Sequence, residues 1–186
     1  YFITEVSMTE VSENPTQIKQ EAKAPKTKVP GGFKRSVCKL VMKLLGKGIC
    51  YGYKVDSRIK QDIDAIGDDF SVKLTISPIG PTMIFGKKDQ KPFSRIGSYD
   101  EEATMTISFK GLNSAFKMFT GGMGLAAGYA QHRFTVKGDL YKILAIVRII
   151  NIVEGYLFPK AMAKKLMNPI PPKQVNSVRF LCGTLF

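Results

Sequence analysis

The chain has 186 residues, 44% apolar and 23% charged, which is ordinary globular composition and enough material for one sizeable core. No uninterrupted apolar run reaches the roughly 20 residues that a transmembrane helix needs. The first ten residues lack the basic start and apolar stretch of a signal peptide, and three scattered cysteines, Cys38, Cys50 and Cys182, exclude a disulfide framework or a zinc site. A soluble, cytoplasmic protein is expected.

Charge is distributed unevenly. Twenty-eight basic residues face fifteen acidic ones, a formal net charge of +13. Residues 1–30 balance four acids against four lysines, so the whole excess lies in 31–186. A surface of this kind attracts phosphates, whether of nucleic acid, an anionic membrane or a phosphorylated ligand, and charge alone does not choose among them.

Residues 1–32 are polar and close on Val29-Pro30-Gly31-Gly32; they read as a flexible arm whose few apolar groups cannot offset its ordering entropy. From Phe33 to Lys47 the spacing predicts a helix, with Val37, Leu40, Val41, Leu44 and Leu45 on one stripe and Gly46 and Gly48 as its stop. Arg35, Lys39, Lys43 and Lys47 recur every four residues, a cationic face suited to solvent or an anionic membrane surface. A weaker helix is expected over Ser57 to Ile66. The period then falls to two: Phe70, Val72, Leu74 and Ile76 alternate with polar residues in a half-buried strand. Thr82 to Gly86 predicts a second strand, followed by a polar loop over residues 87–92, and Phe93 to Ser98 a third. Ala103, Met105, Ile107 and Phe109 alternate in a fourth. Leu112 to Phe119 returns to helical spacing and stops at Gly121-Gly122. Tyr129 to Lys137 reads as a fifth strand. Gly138 suits a sharp turn and Asp139 a helix cap. The helix it would cap, Leu140 to about Phe158, is apolar almost all round, as in a helix buried between layers or lining a cavity. A short helix over Lys160 to Met167, a Pro-rich stretch and an apolar end over Val178 to Phe186 complete the chain.

Catalytic constellations are scarce. His132 is the one histidine, which leaves no His-based metal cluster and no two-histidine chemistry. No G-x-S-x-G elbow exists. Gly80 to Lys88 has one residue too many for a P-loop and a lysine where Ser or Thr must bind magnesium. Gly122-Met-Gly124-Leu-Ala-Ala127 meets the dinucleotide pattern in form, but follows a helix rather than a strand. No cofactor and no metal is expected. One polar group stands out: Arg148, Asn151 and Glu154 step by three along the apolar helix, so neighbours can meet. They are either its solvent-facing stripe or a polar anchor for a ligand head group.

From Ala103 onward the residues carry a family resemblance. The stretch from Ala103 through Phe109, Leu112, Phe116 and Phe119 to Thr120-Gly121, followed by Arg133 to Lys137-Gly138-Asp139-Leu140 and an apolar helix, resembles the sterol carrier protein type-two family. The resemblance covers about 103–147 well and 57–98 more loosely. It implies an α+β fold, a five-stranded mixed sheet covered on one face by helices with an apolar tunnel between the layers. This chain departs from the family in a basic N-terminal helix added to the domain, which is expected to span 33–167, and in a C-terminal extension over 168–186. The resemblance also implies a non-catalytic lipid-binding or transfer protein for a sterol, fatty acyl chain or similar ligand. The tunnel wall carried onto this chain is Phe109, Leu112, Phe116, Phe119, Met123, Phe134, Ile143, Ile146, Val147 and Ile150. Eight methionines and twelve phenylalanines with no tryptophan fit a pliable apolar interior. The end of the chain from residue 160, with Lys160, Lys164, Lys165, Lys173 and Arg179 and no acid, is a candidate cap on that tunnel. The alternatives are a basic module for RNA or another polyanion, against which stands the lack of aromatic–basic interleaving, and an enzyme or accessory domain acting on an acyl or steroid substrate. Partners are then a lipid and an anionic membrane surface, nucleic acid being disfavoured; dimerisation stays open.

Overall fold

A computed structural model describes residues 32–159, 163 and 171–185, all within one unit, Gly31–Phe186. The expected arm, apart from Gly32, and the expected helix over Lys160 to Met167, apart from Ala163, lie outside the described residues.

Helix α1, Gly32–Val55, is longer than its spacing predicts: it passes through both glycines that were expected to stop it. Those glycines are sites of close approach. A Cβ on Gly46 would lie 2.7 Å from the Met83 sulfur, one on Gly48 2.7 Å from Cγ1 of Val153, and one on Gly52 2.6 Å from Cδ1 of Ile59. Tertiary packing thus overrides the weak helix propensity of glycine. The buried stripe is also rotated from the expected one. Cys38, Met42, Leu45 and Ile49 are buried, whereas Leu40 is 57% exposed.

Helix α2, Ser57–Ile66, starts at Asp56, whose carboxylate accepts the Arg58 N–H. It buries Ile59, Ile63 and Ile66. Strands β1 (Phe70–Ile76), β2 (Thr82–Lys88) and β3 (Lys91–Gly97) form an antiparallel meander. The loop expected over 87–92 is a two-residue turn: Asp89 and Gln90 both take positive φ, 49° and 64°, as in the tight turns that match strand twist. β4 (Met105–Phe109) pairs parallel to β1, and β5 (Phe134–Lys137) antiparallel to β4, giving the order β3-β2-β1-β4-β5. The sheet is therefore five-stranded and mixed, and the fold is α+β.

Between β4 and β5 run α3 (Leu112–Phe119) and the six-residue α4 (Leu125–Ala130). The fifth strand was expected from Tyr129; the chain is still helical there and β5 begins only at Phe134. His132 accordingly sits in the preceding turn, exposed and at φ 51°, rather than in a strand. Helix α5, Leu140–Leu157, is capped by Asp139, which accepts the N–H groups of Tyr141 and Lys142 at 2.8 and 3.4 Å. Gly138 takes φ +118° at the turn before it. The last helix, α6 (Ser177–Leu185), lies within the expected C-terminal extension. It joins the core through Phe180, which stacks on Tyr156 with ring centroids 4.3 Å apart.

Alternation along the strands puts Phe70, Val72, Leu74, Ile76, Met83, Phe85, Met105, Ile107 and Phe109 on the inner face, and all are buried. The helices cover that face. The outer face carries Lys73, Thr106, Ser108, Thr135 and Lys137 around an open groove of about 310 Å³. Part of it lies under the loop before β4, where Lys73 donates to the carbonyls of Tyr99 and Glu101 and Arg95 pairs with Glu101.

Candidate functional site

Between the sheet and the helices lies an apolar cavity of about 30 Å³, with room for about one water molecule. Phe109 and Phe134 enter it from neighbouring edge-side strands, and Phe119 from α3. Phe109 meets Phe119 edge-on with centroids 5.3 Å apart and Phe134 at 5.9 Å. Helix α5 supplies Val147, Ile150 and Glu154 to the lining.

Of the tunnel-wall residues carried over from the family resemblance, the structure brings Phe109, Phe119, Phe134, Val147 and Ile150 to this cavity. Ile143 and Ile146 are buried in the surrounding core, Leu112, Phe116 and Met123 pack half-buried against it, and none of the five lines the cavity. Five lining residues were missed: Leu45, Leu74, Ile107, Met118 and Val136. Four of them carried a usable signal. Leu74, Ile107 and Val136 share the inner face with Phe109 and Phe134 by strand alternation, and Met118 sits one residue before Phe119. Leu45 was legible as a buried helix position; that α1 crosses this end of the sheet was not.

The group Arg148, Asn151 and Glu154 is divided by the structure. Arg148 is 59% exposed and turns its guanidinium to Asp62 on α2, with Nη2 donating at 2.7 Å and Nε at 3.3 Å. Asn151 is half-buried. Glu154 lines the cavity. Its surroundings are apolar, and burial pushes its carboxyl up to about 8, because nothing there offsets the desolvation of the charged form. At neutral pH the group is a protonated acid that can donate a hydrogen bond. It lies on a face of α5 shared, by the helical period, with Leu140, Leu144 and Val147. Leu140 and Leu144 are 67% and 51% exposed and Val147 is half-buried, so this face runs from the surface to the cavity.

The four cations expected to share one face of α1 lie in different surroundings. Arg35 and Lys39 border an open groove of about 470 Å³ with the Pro78–Thr82 turn, Lys43 is exposed, and Lys47 donates to the Leu185 carbonyl at 3.3 Å. A second charged cluster was not expected. Lys87, only 3% exposed, lies on β2 between Asp64 (2.7 Å) and Asp68 (2.9 Å). The two carboxylates hold its ammonium well above the ordinary lysine range, and hydrogen bonds from Lys60 and Lys87 hold Asp64 down at about 2. These acids also place Lys87 away from any phosphate loop, since Gly80 to Lys88 forms a turn and a strand. Among the described residues no cluster of His, Cys, Asp or Glu has the makings of a metal site, and no helix is long and apolar enough to cross a membrane.

No family model matches the sequence, and no curated protein matches it. Sterol carrier protein 2 domains recur among the solved structures that resemble it. The apo form of sterol carrier protein 2 from Yarrowia lipolytica has 12% identity and a TM-score of 0.44, covering 60% of this chain and 88% of that one. The UbiJ-SCP2 ubiquinone synthesis protein has 14% identity and a TM-score of 0.44, covering 66% and 99%. The sec-alkyl sulfatase PisA1, in a double mutant, has 15% identity and a TM-score of 0.36 over 47% of this chain and 14% of that one. At these scores the likeness is one of outline.

Proposed function

We propose that the protein holds a sterol, a fatty acyl chain or a similar apolar ligand between its sheet and α3 and α5, and does no chemistry on it. The observation that carries this reading is the cavity itself, apolar except for the one acid Glu154 and continuous with an apolar face of α5 that begins at exposed Leu140 and Leu144. A void of about 30 Å³ is far below the roughly 300 Å³ of an ordinary ligand site, so uptake expands it. The means are local. Met118 is an adaptable side chain in the lining, and the link from α3 to α4 contains Gly121, Gly122 and Gly124, with Gly121 at φ +77°. Each methylene buried contributes about 0.8 kcal/mol, so a long chain supplies the work of opening.

The start of α1 is the surface that meets an anionic membrane in this reading. Phe33 and Leu40, 76% and 57% exposed, accompany exposed Lys39 and Lys43, which is the composition of an interfacial helix. Native mass spectrometry of the purified protein, with organic extraction and lipid analysis, tests the proposal. A discrete lipid that leaves on extraction supports it. A lipid-free mass, together with failure to bind Nile red or a fluorescent sterol, overturns it and brings the polyanion module forward, which steeply salt-dependent RNA binding would then establish.

A further inference from the structure

Among the described residues that line the cavity, Glu154 alone is polar. Leu45 faces the cavity from α1, Leu74 from β1, Ile107 from β4, Met118 from α3, Val136 from β5 and Ile150 from α5, so each surrounding element contributes an apolar side chain. Arg148, six residues back on α5, is engaged by Asp62 of α2, and burial pushes the Glu154 carboxyl up. A cavity built this way has a definite chemistry. It offers one hydrogen-bond donor in a medium that penalises any charge without a counter-ion.

Resting on the carrier reading above, we propose that the cavity selects lipids whose buried end is an uncharged oxygen, a long-chain alcohol or ester, and rejects the free carboxylate of the same chain. The alcohol or ester oxygen accepts the Glu154 proton, and the carbon chain takes the apolar remainder. A carboxylate brings a second acid and no cation. Either it is buried charged and unpaired, or it takes up a proton before entry, and both routes weaken binding.

Displacement of Nile red from the full chain by 1-dodecanol, methyl laurate, laurate and dodecane tests this. At pH 7 the alcohol and the ester bind at least about tenfold more tightly than laurate, the scale of one hydrogen bond to a buried partner. E154Q keeps a neutral donor at the same place and keeps that order at pH 7 and pH 9. The unaltered chain loses affinity for methyl laurate between these pH values, since the ester only accepts and an ionised Glu154 no longer donates, no other lining residue being titratable. E154L puts an apolar side chain in an apolar site and narrows the advantage of dodecanol over dodecane to about twofold or less. Laurate binding as tightly as dodecanol, or an E154L variant that keeps the alcohol preference, overturns the inference while leaving the carrier reading intact. Displacement by none of the four overturns both.

Discussion

The hydroxyl of Tyr156 donates to Oδ2 of Asp56 at 2.8 Å, joining the end of α5 to the start of α2 across 100 positions of chain. The Tyr156 hydroxyl oxygen accepts the Gln174 N–H at 2.7 Å, and the ring stacks on Phe180 of α6. Burial pushes the Asp56 carboxyl up, but hydrogen bonds from Arg58 and Tyr156 outweigh it and hold the group below its ordinary value. One phenol therefore links three helices. Tyr156→Phe keeps the ring stack and removes the phenol's hydrogen bonds with Asp56, Gln174 and Val175; urea unfolding should show a loss of about 2 kcal/mol with the slope unchanged.

Glu154 gives the pH dependence of stability a definite sign. Its folded value, about 8, lies above the ordinary 4.5. Below about 4.5 both folded and unfolded chains carry the proton and nothing is lost. Between about 4.5 and 8 the unfolded chain ionises first, so stability falls as pH rises, by up to about 4 kcal/mol in all. Thermal melts across this window should show the decline, and Glu154→Gln should flatten it.

The acid limb belongs to Asp64. Its folded value of about 2 lies below the ordinary 3.8, so its contribution is complete above about 4 and fades as pH falls towards 2. Lys87→Met removes one of the two ammonium groups that hold it there. Carboxylate titration followed by NMR should then find Asp64 moved up towards 3.8, with Lys60 at 2.6 Å retaining part of the shift.

Gly48 tests the close crossing of α1 and α5. Ala is the better helix former by about 1 kcal/mol, yet its Cβ would lie 2.7 Å from the stiff, fully buried Val153 side chain. Overpacking outweighs propensity, and Gly48→Ala should destabilise by about 1–3 kcal/mol. Adding Val153→Ala should recover part of that loss in denaturant unfolding, so that the double variant lies well above the sum of the two single effects.

Strand alternation from Phe70 to Ile76 and around Phe109 was legible because one face is apolar and the other polar, and the Gly138–Asp139 turn because glycine suits its positive φ and Asp139 caps the helix that follows. Leu112–Phe119 was legible for the same periodic reason. The course of α1 was not. Glycines at 46 and 48 read locally as breakers, and only neighbours far along the chain make them contact points. The true extent of β5 was hidden because Tyr129 and Ala130 suit a strand or a helix equally, and the turn at His132 has no glycine to mark it. For the cavity, the residues on regular elements could be placed by period, whereas the separation of Arg148 from Glu154 depends on Asp62, contributed by a helix 86 residues earlier.

The two borders of the sheet have a bearing on behaviour at high concentration. A strand at a border exposes backbone groups that another copy can pair with, the usual first step towards fibres. Here β3 opens on Lys91-Pro92, where the proline removes a donor, and carries the exposed Arg95; β5 is four residues long and ends on exposed Lys137. A stranger strand therefore meets either charge and a missing N–H or too few rungs to hold. In the carrier reading proposed above, the interior opens to load a ligand and bares greasy surface, and guarded borders keep such a moment from becoming aggregation.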